Sequence, residues 1–161
     1  VSGDAIKNPS NFLVRIGTSC AELVEAAGGI KDCVEMKKAI SGGPMMGFAM
    51  ANLEVPVQKS NNAITLLGFD AVETAQAQMT ACLRCGRCND ACSLGLVPQM
   101  MAAAAERKDY DRFEKKLYGM ECVACGSCTY ICPAKRPLMQ LFKQTKAEIM
   151  AAKRAAQAAN K

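Results

Sequence analysis

The sequence predicts an α+β chain in two parts. A small unit that mixes strands with one short helix comes first, and a helical unit organised by cysteines follows. Three observations carry this expectation. Strand-like apolar runs broken by turn residues surround one helical segment across residues 1–67. Two matched cysteine runs lie between Cys82 and Cys132. The stretch that separates them is rich in helix formers.

Phe12-Leu-Val-Arg-Ile16 reads as a strand after the turn residues Asn8-Pro9-Ser10-Asn11. Ser19 and Glu22 fit a capping box, with the hydroxyl at the N-cap and the carboxylate at the third helical position. The helix they open runs through Ala27 and stops at Gly28-Gly29, with Leu23, Val24 and Ala27 on one face. Residues 33–40 and 63–67 are further strand candidates. Val55-Pro56-Val57 fits an edge segment, because proline has no ladder donor. Strands wrapped around one short helix make a small β-grasp-like unit. Ser41-Gly-Gly-Pro-Met-Met-Gly47 demands a special backbone path. Two readings fit it: a tight turn, or a loop whose backbone lies close to a cofactor or a neighbouring domain. It is no phosphate loop, since its spacing matches neither nucleotide fingerprint.

Beyond Cys92 the pattern turns helical. Pro98 suits the first position of a helix running through Gln99 to Arg107. Asp109 suits the cap of a second, with Phe113 and Leu117 on one face and Gly119 at its end. Pro137 opens a third, in which Leu138, Leu141, Phe142, Thr145 and Ile149 recur at helical spacing. Residues 151–161 form a charged, Ala-rich tail, expected to be a solvated, fraying helix with no core face.

Composition narrows the chemistry. Among 161 residues, half are hydrophobic but only 5% aromatic, so the core is small and gains from cross-links. There is no His, which removes imidazole metal sites, Cys–His nucleophilic pairs and a neutral-pH proton shuttle. No catalytic site is expected in this chain by itself. No apolar run approaches the length of a membrane span and no secretory signal is visible. Dense thiols without such a signal point to metal binding in a reducing compartment, not to disulfides. The chain begins at Val1 with no initiator Met, so it is expected to be a processed or truncated product or part of a longer chain.

The runs are Cys82-x-x-Cys85-x-x-Cys88-x-x-x-Cys92 and Cys122-x-x-Cys125-x-x-Cys128-x-x-x-Cys132, the second followed by Pro133. This is the pattern of ferredoxins with two 4Fe–4S clusters, in which the fourth Cys of each run ligates the other run's cluster. Steps of three residues let Cys82, Cys85 and Cys88 reach three iron corners, and the crossed pattern gives them Cys132. Cys122, Cys125 and Cys128 then take Cys92. Gly86 and Gly126 follow the second Cys, where a missing side chain lets the backbone pass close to sulfur. Ser93 stands where the first run would carry Pro. Two zinc sites would also use eight thiolates, but structural zinc usually takes paired C-x-x-C knuckles. The helix-forming insert between the runs points to an α-helical ferredoxin domain, not a compact hairpin type. Each oxidised site contributes about 2−, so two of them lower the formal charge of +5 to about +1. No nucleic-acid partner is therefore expected.

Cys20 and Cys33 lie outside the runs and read as buried, inert thiols. Arg84, Arg87, Lys135 and Arg136 flank ligands, either as solvated charge or as groups that raise potentials or dock an acidic carrier. Met45, Met46, Met100 and Met101 read as packing residues, since thioethers do not hold cubane iron.

Several of these segments recur together in one order. They are Arg15-Ile-Gly-Thr18, Ser41-Gly-Gly-Pro-Met-Met-Gly47, the first cysteine run, Leu96-Val-Pro-Gln99, the second run with Pro133, and Gln144-x-Lys-Ala-Glu148. In this the chain resembles the C subunit of the Rnf complex, the ion-translocating ferredoxin:NAD oxidoreductase of bacteria. The resemblance implies an SLBB-like β-grasp domain over residues 1–50, a connector over 51–74 and a two-cluster ferredoxin domain over 75–150. It implies electron relay through two 4Fe–4S clusters at the cytoplasmic face of the bacterial membrane. The implied partners are the other Rnf subunits, including membrane-embedded ones, and the flavin- and NADH-binding region of the same full-length protein. FMN belongs to that region, and no dinucleotide fingerprint occurs in these residues. A stand-alone soluble ferredoxin-like carrier, or an Fe–S subunit of another oxidoreductase, is the alternative.

Overall fold

The computed structural model describes residues 1–159. The chain mixes helices with a small antiparallel sheet, and it divides into two compact units, Val1–Thr74 and Ala75–Lys161.

In the first unit, helix α1 (Cys20–Ala26) is opened by Ser19, whose Oγ accepts from the Ala21 N–H at 3.2 Å. Its end closes in a Schellman pattern, with the Gly29 N–H on the Val24 carbonyl at 2.9 Å and the Gly28 N–H on Glu25 at 2.8 Å. Three strands follow: β1 (Lys38–Ser41), β2 (Phe48–Met50) and β3 (Ile64–Leu67). The sheet order is β2-β1-β3, antiparallel throughout, with Ile40 opposite Ala49 on one side and Thr65 on the other. Ser2 extends the β3 edge through a parallel bridge to Thr65.

Helix α1 buries its apolar face in two adjoining clusters. Val24 and Ala27 join Ala5, Ile6, Ala39 and Leu66, while Cys20 and Leu23 join Val57 and Ile64. Residues 51–67, set apart as connector by the resemblance, thus supply β3 and Val57 to this core. Gly42–Gly47 is the β1–β2 hairpin turn. Gly47 donates to the Gly43 carbonyl at 2.9 Å, and a Cβ on Gly47 would lie 2.5 Å from Ile40 Cγ2. Its tip leaves Met45, Met46 and Phe48 exposed.

Two expectations change here. Phe12–Ile16 forms no strand, and Phe12, Leu13 and Ile16 are exposed; among the described residues no strand lies alongside to pair with it. Cys20 is buried as expected, but Cys33 is exposed, because it falls in the turn that precedes β1.

Helix α2 (Ala71–Ala77) spans the division between the units. The second unit then holds α3 (Arg87–Asp90), α4 (Pro98–Glu106), α5 (Ser127–Ile131) and α6 (Leu138–Ala159). Pro98 takes the first position of α4, where its missing N–H costs nothing. Alanines 102, 104 and 105 of α4 let α6 pack closely, and Met101, Phe113, Leu138, Phe142 and Ile149 fill the core. The rings of Phe113 and Phe142 meet at 6.1 Å and 50°.

The helix expected after Asp109 is a single π turn, Arg112–Lys116, closed by the Leu117 N–H on the Arg112 carbonyl at 3.0 Å. Asp109 still accepts from the Arg112 N–H at 3.1 Å. A 3₁₀ turn, Gly119–Glu121, comes next. Helix α6 continues well past Met150 with residues 151–158 exposed, while Asn160 and Lys161 of the predicted tail lie outside the described residues. No helix among the described residues is long and apolar enough to cross a membrane.

A Cβ on Gly119 would sit 2.2 Å from the Phe113 ring. Gly119→Ala should therefore cost about 1–3 kcal/mol through overpacking. Urea unfolding should show a lower midpoint, and adding Phe113→Leu should recover part of it. An unchanged midpoint in the single variant would mean that the ring has room to move.

Candidate metal centre

The two cysteine runs fold alike. Each begins as a loop and passes through one left-handed residue before its second Cys, Arg84 at φ 55° and Ala124 at φ 53°. Each then turns into a short helix through a left-handed glycine, Gly86 at φ 79° and Gly126 at φ 86°. At Gly86 it is this backbone hand that requires glycine, since a Cβ there would meet no protein atom within 4 Å. Helices α3 and α5 pack against each other.

This packing brings the runs together in crossed fashion. One hollow is lined by Cys82, Cys85, Cys88 and Cys132, and a second by Cys122, Cys125, Cys128 and Cys92. Their empty volumes, open solvent included, are about 390 and 400 Å³. Each short helix has its first turn on its own run's hollow, while the cysteine just past its last turn lines the other. Among the described residues no three Cys, Asp or Glu side chains converge as they would around a single ion. The thiols instead ring a space.

The surroundings of the two hollows differ. Cys82 and Cys85 are exposed at the first, whereas Cys128 is buried at the second and Cys92, Cys122 and Cys125 are half-buried. Met101, Met139 and Phe142 wall the second hollow. Arg84 and Arg136 line the first, and Arg136 pairs with Glu106. Arg87 and Lys135 are exposed. Of the methionines, Met101 packs in the core, while Met45, Met46 and Met100 are exposed.

These surroundings act on the thiols. Burial pushes Cys128 up to about 11, with neighbouring Cys122 adding to the rise. Burial also raises Cys88, and its neighbours Cys132 and Cys82 push the same way. Cys125 is held below its ordinary value, first by the side chain of Ser127, 3.4 Å away, and to a lesser degree by Ser93 from the other run. The Ala124 N–H donates to Cys122 Sγ at 3.4 Å. Ser127 serves Cys125 locally, from two residues along the same run, whereas the service of Ser93 depends on the crossing.

A thiolate, not a thiol, reacts with alkylating agents and binds metal. In metal-free protein near neutral pH, Cys125 should therefore be alkylated before Cys128, and Ser127→Ala should slow Cys125. Exposed Cys33 should react in the native protein, and buried Cys20, whose pKa burial raises, only after denaturation. Time-resolved alkylation read by peptide mass spectrometry checks the order.

Comparison with known proteins adds a lineage to this geometry. Residues 1–49 match the SLBB domain. Over 152 residues the chain is 41% identical to the C subunit of the proton-translocating ferredoxin:NAD(+) oxidoreductase complex of Clostridium ljungdahlii, covering 94% of this chain and 32% of that protein. It is 38% identical over 153 residues to the C subunit of the Na(+)-translocating ferredoxin:NAD(+) oxidoreductase complex of Acetobacterium woodii, covering 95% and 33%. Against the C subunit of the ion-translocating oxidoreductase complex of Rhodobacter capsulatus it is 40% identical over 149 residues, covering 92% and 28%. The chain spans a third or less of the length of these relatives. Nearly end to end, it is similar to the C-terminal part of the C subunits of Rnf-type ion-translocating oxidoreductases.

Proposed function

We propose that this chain is the electron-relay segment of an Rnf-type C subunit and holds two 4Fe–4S clusters. Cys82, Cys85, Cys88 and Cys132 would hold one, and Cys122, Cys125, Cys128 and Cys92 the other. The observation that carries this reading is the crossing: each hollow collects three thiols from one run and the fourth from the other. That is the ligand pattern of two-cluster ferredoxins. The donor set fits in kind as well, since all eight ligands are sulfur, the ligand type of iron–sulfur clusters. A single zinc ion would draw four sulfurs to about 2.3 Å from one point. The thiols here ring a space instead, which favours a larger group.

A bound 4Fe–4S cluster supplies a one-electron couple. The residues of this chain would hold it, shield it and set its potential. Left-handed Arg84 and Ala124 wind the loops so that sulfurs face inward. The apolar wall of Met101, Met139 and Phe142 keeps water from the second hollow, while the exposed Cys82 and Cys85 leave the first open to exchange with a partner. With four thiols at each hollow, no iron corner is left open for substrate, which favours relay over catalysis. The longer protein would add a flavin- and NADH-binding region carrying FMN. Its partners would be further members of the complex, some embedded in the membrane, with this segment peripheral at the cytoplasmic face.

Anaerobic reconstitution with ferrous iron and sulfide should load about eight iron atoms per chain. Dithionite reduction should then give the EPR signals of two interacting 4Fe–4S clusters. Bound zinc by elemental analysis, with no such signal, would sink the proposal. Cys132→Ser should disturb the cluster held by Cys82, Cys85 and Cys88 and spare the other, and the opposite pattern would overturn the ligand assignment. Affinity capture of the full-length protein from membranes should recover membrane-embedded subunits. Recovery of soluble redox partners alone would favour a free carrier.

A further inference from the structure

The segment Gln144-x-Lys146-Ala-Glu148 lies on α6, more than ten residues beyond the last cysteine, and the ligand scheme leaves it without a task. Its polar side chains are all engaged. Gln144 Nε2 donates to Glu148 Oε1 at 2.9 Å, and the Tyr110 hydroxyl donates to Glu148 Oε2 at 2.5 Å. Lys146 turns to the second cysteine run. Its Nζ donates to the carbonyl of Met120 and to the carbonyl of Cys122, each at 2.8 Å.

We propose that Lys146 is a positioning residue for the second hollow, fixing the Cys122 segment and raising the reduction potential of the group held there. The inference rests on the cluster reading above. Four observations lead to it.

The placement is rigid. Phe142, Thr145 and Ile149 are buried on α6 around Lys146, so the core sets where its ammonium reaches. The target is specific too: one cation grips two carbonyls two residues apart, at the point where the 3₁₀ turn Gly119–Glu121 hands the chain to the first ligand of the run. It thereby fixes the direction in which Cys122 enters the hollow.

Charge comes third. Among the described residues Lys146 meets carbonyl oxygens and no carboxylate, and it is half-buried, so neither an ion pair nor full solvation cancels it. Reduction adds an electron to a thiolate-held cluster that is already anionic, and a fixed cation nearby favours the reduced form. Lastly, the first run is secured differently. Its entry is tied by a neutral backbone bond, from the Thr80 N–H to the Ala134 carbonyl at 3.1 Å. Arg136, which lines that hollow, is paired with Glu106.

The test is an anaerobic EPR-monitored redox titration of the whole chain with both clusters loaded. Wild type, Lys146→Met, Lys146→Gln and Lys146→Arg are compared. The cluster of the second hollow is identified as the one disturbed by Cys92→Ser. Lys146→Met should lower the potential of that cluster and leave the other in place. A tenfold change in its reduced-to-oxidised ratio corresponds to a shift of about 59 mV for a one-electron couple. Lys146→Arg, which keeps the charge, should restore most of it. Lys146→Gln keeps a donor without the charge, so it should lower the potential with less loss of thermal stability than Met, and it carries the test where Met does not fold. Unchanged potentials in both neutral variants, with only the melting temperature lowered, would reduce Lys146 to a structural tie and overturn the proposal. A wild-type chain that takes up no cluster would instead overturn the relay reading.

Discussion

The crossing of the two cysteine runs is the constraint on which the second unit depends. Neither run can complete its hollow from its own residues, so α3 and α5 must lie side by side with their ends exchanged. That demand explains the rest of the unit. Alanines on α4 let α6 close behind the runs, and Phe113 against Phe142 fixes the separation of the layers. Cys128 belongs to both systems at once, counted in the apolar core and lining the second hollow. Packing errors in the core are thereby transmitted to the sulfurs directly.

The two hollows share a plan but not an environment. The same backbone path, with left-handed residues at matching positions, yields one open, cation-lined hollow and one apolar, half-buried one. Residues at equivalent places account for the difference. Ser127 sits where the first run has Arg87, and Ser93 where the second has Pro133. Both serines line the second hollow and act on Cys125, whereas at the first hollow Pro133 lines the wall and Arg87 points to solvent, leaving Arg84 and Arg136 as its cations. A duplicated motif can thus hold two sites that differ in solvent access and hydrogen bonding without altering a ligand.

How much of this was legible in the sequence follows from the range of each interaction. Signals that act within a few residues were clear: Ser19 opens α1, Pro98 opens α4, and the cysteine spacing marks the runs. Phe12–Ile16 misled because an apolar run is local, whereas a strand needs a partner. Residues 63–67 read as a strand from their own apolar pattern, but the resemblance set 51–67 apart as connector. Only the pairing of β3 with β1 and the packing of Val57 and Ile64 against Cys20 and Leu23 assign them to the first unit. The left-handed turns at Arg84 and Ala124 left no trace, since neither is glycine or asparagine. Cys33 looked like Cys20 in composition and differs only in where the turn puts it. The Gln144–Glu148 segment was visible as a pattern, but its meaning needed Tyr110 and Met120 brought near by folding.

The exchange of fourth cysteines also sets an order of events during synthesis. Three thiols of the first hollow leave the ribosome early, and Cys92 follows at once, but Cys92 faces the wrong hollow. The first hollow must wait for Cys132, the last cysteine of the chain. Both hollows are therefore completed only after the second run has been made, and until then the earlier thiols stand uncovered. On the proposed two-cluster reading, loading of the first run before Cys132 is made would use a temporary fourth ligand that the finished fold displaces. The crossing makes the completion of both hollows a single late event in synthesis.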